Sequence, residues 1–233
     1  CINKPKYIDS YFQLVHFDDL LHIDKETDLE DTLKDYVNKS YTPICSFDLC
    51  SSNVDALQTI IQGIIEKQSK ADVKIKTPLS YFLGELICNI SQHSKSSVGY
   101  ISSQYLRREK CIDICIGDSG ITVYGSYVST DKYMDEIGDN EVRALIKANE
   151  GYSTKELPDA ENRGYGITST KNMLVDGLKG AFFMLSGGAF HRHDNKGSDF
   201  IKLPEAISWA GTIILMRIPI HVDENFDYTK YIQ

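Results

Sequence analysis

The fold is decided by one stretch of the chain, residues 78–120, which has the sequence PLSYFLGELICNISQHSKSSVGYISSQYLRREKCIDICIGDSG. Its first part repeats apolar side chains three and four positions apart, and this spacing predicts an amphipathic helix from about Pro78 to Ser94. Its second part predicts two strands, Val98 to Tyr105 and Lys110 to Gly117, joined by a short polar turn. A helix followed by two adjacent strands is typical of proteins in which helices pack on an antiparallel sheet.

The flanking segments extend this pattern on both sides. Upstream, Pro43 to Leu49 predicts a strand, and the residues after Ser51 predict a helix whose apolar side chains recur at helical spacing. Downstream, the predicted elements are a helix near Asn140 to Asn149, a helix from Ile167 to Val175, and strands from Gly180 to Leu185, Ala189 to His193 and Gly211 to Ile220. We therefore expect a two-layer α/β (α+β) sandwich: a mixed, largely antiparallel sheet with helices on one face.

The chain length limits how these elements can be grouped. A chain of 233 residues forms one medium domain with extensions, or at most two small domains. We expect one domain over residues 41–222, preceded by an N-terminal extension over residues 1–40 and followed by a C-terminal tail over residues 223–233. Within the extension, the stretch from Asp24 to Asp35 has the spacing of an amphipathic helix.

Composition and charge exclude several classes of protein. Apolar residues make up 42% of the chain, which rules out a mainly disordered protein. The 25 basic and 33 acidic residues give a net charge of −8, which argues against duplex-DNA binding because phosphate contacts require surplus Lys and Arg. Since no apolar run approaches the roughly 18 residues that span a bilayer, we expect no membrane partner.

Cysteine and histidine usage gives two further expectations. The six cysteines form no Cys-x-x-Cys pair and lie mostly in apolar runs, so we expect buried free thiols and a cytoplasmic protein. His191-x-His193 is the only close histidine pair, and it has no Cys or carboxylate partners at metal-ligand spacing. We interpret this pair as exposed polar residues at the end of a strand.

Three polar motifs interrupt the apolar pattern. Glu85, Asn89 and His93 are spaced four residues apart, so they form one polar stripe on the predicted helix. Asp118-x-Gly120 follows a buried strand, where a carboxylate can accept a hydrogen bond from an amino group and a glycine lets a flat ring approach. Gly164-x-Gly166 opens a helix, where backbone amides and the helix dipole favour a phosphate.

Taken together, in this order and spacing, the motifs resemble those of the GHKL superfamily of ATP-binding proteins. That superfamily includes histidine-kinase catalytic domains, anti-sigma-factor serine kinases, DNA gyrase, heat-shock chaperones and mismatch-repair ATPases. The matches are Glu85 and Asn89 with the N-box, Asp118-x-Gly120 with the first glycine box, Gly164-x-Gly166 with the second, and Gly211-Thr212 with the Gly-Thr that closes the pocket. The resemblance covers about residues 41–222 and implies the same sandwich fold.

The resemblance implies roles at the phosphate end of the site. Asn89 would supply an oxygen to Mg²⁺, and Glu85 would orient or deprotonate an attacking water or hydroxyl. His93, one turn further along, would face the same cleft and touch the nucleotide. The phosphates would accept hydrogen bonds from the backbone amides of Gly164 and Gly166.

The resemblance also implies roles for the adenine pocket and for a lid over the nucleotide. Asp118 would accept from the adenine amino group, Gly120 would line the ring, and Thr212 would support the Asp118 contact, often through a water. The segment from Glu150 to Asn162 takes the place of the ATP lid. Its cations would be Lys155 and Arg163, which would offset the charge of the triphosphate on an acidic protein.

The arrangement of elements favours one branch of this superfamily. A strand and one helix, Pro43 to Lys70, directly precede the N-box helix, as in the anti-sigma-factor serine kinases, and kinases of this type often form homodimers. We therefore expect a Mg²⁺-dependent ATP-binding regulatory domain that phosphorylates a protein partner or hydrolyses ATP slowly. Two alternatives stay open: a non-catalytic, nucleotide-gated interaction module, and a degenerate member that no longer binds nucleotide. The second alternative arises because Thr122 replaces the usual second glycine of the first box.

Overall fold

The computed structural model describes residues 6–23, 31, 33–49, 54–154 and 165–232. Within them, eight strands form one open sheet in the order β1-β2-β3-β4-β8-β5-β6-β7. The strands are β1 (Leu21–Ile23), β2 (Cys45–Asp48), β3 (Val98–Leu106), β4 (Cys111–Asp118), β5 (Ala181–Gly187), β6 (Ala189–Asp194), β7 (Gly197–Lys202) and β8 (Trp209–Pro219). Strands β1 and β2 pair in parallel and all other neighbours pair antiparallel, which confirms the mixed, largely antiparallel sheet.

Seven α-helices accompany the sheet in the described part of the chain. They are α1 (Lys6–Leu14), α2 (Val54–Ser69), α3 (Lys76–His93), α4 (Val123–Thr130), α5 (Met134–Ile137), α6 (Glu141–Asn149) and α7 (Tyr165–Asn172). Two of them begin at side-chain caps: Thr122 accepts a hydrogen bond from the backbone N–H of Gly125, and Asn140 accepts one from that of Arg143. A π-helical turn, Met173–Gly177, continues α7.

The core lies between the sheet and α2, α3 and α7. Helix α3 buries one continuous face, as its three- and four-residue spacing predicts. The buried side chains of that face are Pro78, Leu79, Phe82, Leu83, Leu86, Ile87 and Ile90. All of them except Pro78 belong to the same apolar cluster as the alternate β4 side chains Ile112, Ile114 and Ile116. Each fully buried side chain of this size contributes about 1.5–3 kcal/mol to the free energy of unfolding. This packing is therefore the main interaction that stabilises α3.

The opposite face of the sheet is partly covered by α1. Residues Asp113 and Cys115 of β4 alternate with the core isoleucines and therefore point to this second face. The hydroxyl of Tyr11 in α1 donates to Oε1 of Gln104, which is the cross-strand neighbour of Asp113. The sandwich is confirmed, with the addition that one helix lies outside the layer formed by the others.

Most predicted elements are confirmed, with small shifts at their ends. The sequence patterns predicted neither the edge strands β1 and β7 nor the helices α1, α4 and α5. Strand β7 is mostly exposed, so it carries no alternating apolar pattern. Helix α4 has the sequence VYGSYVST, which is rich in β-branched and aromatic residues and contains a glycine, so its intrinsic helix propensity is low. Its burial of Tyr127 compensates for this low propensity. Most of the stretch from Asp24 to Asp35 lies outside the described residues.

Segments near both ends of the chain join the same sheet and core. Strand β1 pairs with β2 from Leu21 opposite Cys45 to Ile23 opposite Phe47. Leu33 is buried in the main core, although it precedes residue 41. At the other end, Tyr231 packs close to Gly177, at the end of the π-helical turn. No helix among the described residues has both the length and the apolar character needed to cross a bilayer.

Candidate functional site

Asp118 ends β4 and is the most deeply buried carboxylate of the candidate site, with 1% of its surface exposed. Its Oδ1 accepts a hydrogen bond from the backbone N–H of Gly120 at 2.9 Å, and the carboxylate also accepts from the backbone N–H of Thr212. Burial raises the pKa of Asp118 to about 6, because these two hydrogen bonds only partly replace the lost hydration. The structure therefore brings together Asp118, Gly120 and Thr212, while their contacts with an adenine base stay a prediction.

Two glycines allow the backbone to approach this carboxylate closely. Gly211 has a φ of +113°, and a Cβ at this position would lie 2.6 Å from Oδ1 of Asp118. A Cβ on Gly120 would lie 2.0 Å from the carbonyl oxygen of Ser94, at the C-terminal end of α3. Both positions thus exclude any side chain, and the Asp118 turn is seated directly against the end of α3.

A hydroxyl network lies beside the Asp118 pocket. The hydroxyl of Ser186, at the end of β5, lies 3.0 Å from the hydroxyl of Thr212 and donates to the carbonyl oxygen of Gly211 at 3.0 Å. It also accepts a hydrogen bond from the backbone N–H of Val123, at the start of α4, at 2.9 Å. Ser186 therefore links the strand that carries Thr212 to the helix that follows the Asp118 turn.

The polar stripe of α3 meets the N-terminal turn of α7. A Cβ on Gly166 would lie 2.2 Å from Oε2 of Glu85 and 3.6 Å from Nδ2 of Asn89. The absence of a side chain at Gly166 thus makes room for the Glu85 carboxylate at the start of α7. Nδ2 of Asn89 is buried and has no hydrogen-bond partner among the described residues. A buried donor of this kind is uncommon and is free to donate a hydrogen bond to a ligand or a water.

His93 takes a contact that the sequence does not predict. Its Nδ1 lies 2.9 Å from the hydroxyl of Thr154, and that hydroxyl lies 2.9 Å from the hydroxyl of Ser126 in α4. The backbone carbonyl of Tyr152 accepts a hydrogen bond from the Tyr127 hydroxyl at 2.5 Å. His93 is therefore directed towards the segment before residue 155, and its contact with a nucleotide stays a prediction.

Three predicted site residues, Lys155, Arg163 and Gly164, lie outside the described residues. The described part of the candidate site consists of Glu85, Asn89, His93, Asp118, Gly120, Gly166 and Thr212. Six of them form two groups, one around Asp118 at the end of β4 and one where α3 meets α7, whereas His93 contacts Thr154.

None of the protein-family models matches this chain, and the search of curated proteins gives no significant match. The resemblance to the GHKL superfamily therefore stays a prediction from the residues quoted above.

The histidine pair of β6 differs from its sequence interpretation. The prediction of two exposed side chains is wrong for His191, which is fully buried. Its Nε2 lies 3.0 Å from the hydroxyl of Ser198, and its ring stacks on Phe200 with the ring centres 3.9 Å apart. Burial, together with the positive charge of Lys171, lowers the pKa of His191 to about 3, so this ring is neutral at pH 7.

The thiols follow their prediction in part. All four described cysteines are free; Cys45 and Cys111 are buried, Cys115 is partly buried, and Cys88 is exposed on α3. Because an exposed thiol was not expected, the prediction of buried thiols is wrong at Cys88. Cys88 lies one residue before Asn89, on the side of α3 that does not face the core.

Sequence reasoning missed three residues that shape the site: Ser186, Thr154 and Trp209. Phe182, Met184 and Ser186 alternate along β5 and all face inward. A polar residue at an inward-facing position is the sequence feature that could have indicated Ser186. Trp209 donates its indole N–H to the backbone carbonyl of Asp118 at 2.7 Å. No local sequence pattern indicates the contacts of Trp209 and Thr154, because both depend on tertiary structure.

Proposed function

We propose that this protein is a Mg²⁺-dependent ATP-binding regulatory domain of the GHKL type, which transfers the γ-phosphoryl group to a protein partner or hydrolyses ATP slowly. One observation carries the proposal: three motifs that are far apart in the sequence converge on α3. The Asp118 turn is seated on the C-terminal end of α3, and Gly166 is packed against Glu85 in the middle of the same helix. A chance combination of short motifs has no reason to converge in this way.

The Asp118 pocket suits an adenine base. A buried carboxylate at the end of a strand can accept a hydrogen bond from an exocyclic amino group, and the glycines at positions 120 and 211 let the backbone pack close enough to hold that carboxylate in place. At the other end, the first turn of α7 directs backbone amides and the positive end of the helix dipole towards the Glu85 region. The adenine and the phosphates of one nucleotide would occupy these two ends.

The residues fit a magnesium ion that arrives with the nucleotide. The described residues contain no cluster of three His, Cys, Asp or Glu side chains that could hold a metal unaided. Magnesium is commonly bound through one or two protein oxygens, with phosphate oxygens and water completing its shell. Asn89 would hold it through its side-chain oxygen, and the bound ion would supply positive charge to the β- and γ-phosphates.

Glu85 is the candidate base. Its carboxylate lies at the start of α7, where the γ-phosphate of a bound nucleotide would be expected. In the proposed reaction, a water or a partner hydroxyl attacks the γ-phosphorus while Glu85 takes up its proton. The bond between the γ-phosphorus and the bridging oxygen breaks, and ADP leaves.

Titration calorimetry with ATP and Mg²⁺ tests this proposal. The wild-type protein should bind ATP, and Asp118→Ala should bind it at least about tenfold more weakly, because the contact to the amino group is lost. Ser129→Ala, a substitution on the exposed side of α4, is the matched control and should leave the affinity unchanged. Absence of heat with both ATP and ADP would refute the proposal.

A nucleotide-gated interaction module without turnover is the second candidate. The hydrogen bonds from His93 and Ser126 to Thr154 favour it, since they connect α3 and α4 to the segment before residue 155. Glu85→Ala distinguishes the two candidates. An enzyme would lose phosphoryl transfer and keep ATP binding, whereas a switch would keep its nucleotide-dependent response to a partner.

A further inference from the structure

Ser186 makes three hydrogen bonds at once beneath the Asp118 pocket. Its hydroxyl oxygen lies 2.9 Å from the backbone nitrogen of Val123, 3.0 Å from the carbonyl oxygen of Gly211 and 3.0 Å from the hydroxyl oxygen of Thr212. Only 3% of Ser186 is exposed, so solvent does not compete for these bonds.

The direction of each bond follows from the atoms involved. A serine hydroxyl has one hydrogen to donate and two lone pairs to accept with. The carbonyl of Gly211 can only accept, so it takes the hydrogen of Ser186, and the N–H of Val123 can only donate, so it uses one lone pair. The second lone pair of Ser186 therefore accepts the hydroxyl hydrogen of Thr212.

This direction determines what Thr212 presents to a ligand. Its only hydroxyl hydrogen is used by Ser186, so its oxygen offers lone pairs alone to the pocket. Asp118, beside it, is likewise an acceptor when ionised. Two acceptors that both face the 6-position of a purine match an amino group there and oppose a carbonyl oxygen there.

We propose that Ser186 is a specificity-determining positioning residue, which fixes the Thr212 hydroxyl as an acceptor and so makes the pocket select 6-aminopurine over 6-oxopurine nucleotides. The inference rests on the proposed function, because it concerns the base of the nucleotide bound there. Without the Ser186 hydroxyl, the hydroxyl of Thr212 is released and rotates to donate to a 6-oxo group.

The test compares ATP with inosine triphosphate, which carries a 6-oxo group in place of the amino group. Dissociation constants for both, with Mg²⁺ at pH 8, are measured by calorimetry for the wild type, Ser186→Ala and Ser186→Thr. The preference for ATP should fall by about tenfold in Ser186→Ala and persist in Ser186→Thr, which keeps a hydroxyl. Ser126→Ala, a similarly buried serine bonded to Thr154 instead, is the matched control and should keep the wild-type preference.

The outcomes separate this inference from the proposed function. If the wild type binds ATP and Ser186→Ala keeps the wild-type preference, the inference is refuted while the proposed function stands. An equal fall in Ser126→Ala also refutes it, because general loosening of the pocket would then explain the change. If the wild type binds neither nucleotide, the proposed function fails and this inference fails with it.

A second variant covers the case in which Ser186→Ala does not fold. Thr212→Val removes the hydroxyl at the pocket and leaves the bonds from Ser186 to Gly211 and Val123 in place. Its preference for ATP should fall by a similar factor, since the acceptor is lost. An unchanged preference in this variant would refute the inference.

Discussion

The buried carboxylate of Asp118 predicts a pH-dependent stability that can be measured without any ligand. Its pKa in the folded protein is about 6, against an ordinary value of 3.8. Between these two values the folded protein holds a proton that the unfolded chain has lost, so the free energy of unfolding falls as the pH rises through this window. The variant Asp118→Asn lacks the titrating group and therefore lacks this contribution.

The size of the effect follows from the two pKa values. At a given pH, Asp118 contributes to the free energy of unfolding RT times the natural logarithm of a ratio. The ratio is the proton-binding polynomial of Asp118 in the folded state divided by that in the unfolded state. The free energy of unfolding of the wild type minus that of Asp118→Asn should fall by about 1.4 kcal/mol between pH 5 and pH 8, and about 1 kcal/mol of this should be lost between pH 5 and pH 6. Comparing the two proteins at each pH cancels the other titrating groups.

Urea denaturation at pH 5, 6, 7 and 8, followed by the fluorescence of Trp209, is the assay. Trp209 is the only tryptophan in the chain, and its indole donates a hydrogen bond to the backbone of Asp118. Asp135→Asn, at an exposed carboxylate, is the control for the loss of one negative charge. A flat difference for Asp118→Asn, or one that grows with pH, would refute the buried-acid interpretation.

Further predictions concern the glycines and the nucleotide preference. Gly166→Ala should reduce phosphoryl transfer or ATP hydrolysis at least about tenfold while the protein stays folded and still binds ATP, because the new Cβ displaces the flexible carboxylate of Glu85. Gly63→Ala, whose new Cβ would contact nothing within 4 Å, should instead raise the free energy of unfolding by about 0.5–1 kcal/mol. Gly211→Ala should lower the free energy of unfolding by about 2–4 kcal/mol in urea titrations, because the φ of +113° at Gly211 and the close contact with Asp118 both oppose a side chain. Calorimetry should show the preference for ATP over inosine triphosphate shrinking below pH 6, because protonated Asp118 donates to a 6-oxo group. A preference independent of pH would contradict that role for Asp118.

The elements that the sequence predicts are those whose stability is local or strongly periodic. Helix α3 and strands β3 and β4 bury regular apolar faces, and their residues show the helical and alternating periods directly. Helix α4 and strand β7 could not be predicted in this way. The first is stabilised by tertiary burial against its propensity, and the second lies at a sheet edge where most side chains are exposed.

The same distinction applies to the candidate site. Glu85, Asn89 and His93 share one helix, so their alignment follows from the helical repeat. The bonds of Ser186 cannot be predicted from sequence, because they join β5, β8 and the start of α4, three segments far apart in the chain. Contacts between distant segments depend on sheet order, and no local pattern specifies that order.

Helix α3 sets the distance between the two ends of the candidate site. The Asp118 turn is seated on the carbonyl of Ser94, at the C-terminal end of this helix, and Asn89 lies five residues earlier on the same helix. At a rise of about 1.5 Å per residue, the two positions are about 7.5 Å apart along the axis. Because a helix is rigid over this length, a base held at Asp118 and a phosphate held near Gly166 keep a fixed relation. A side chain at Gly120 would therefore act on both ends at once, since it would push the turn away from the helix that positions Asn89.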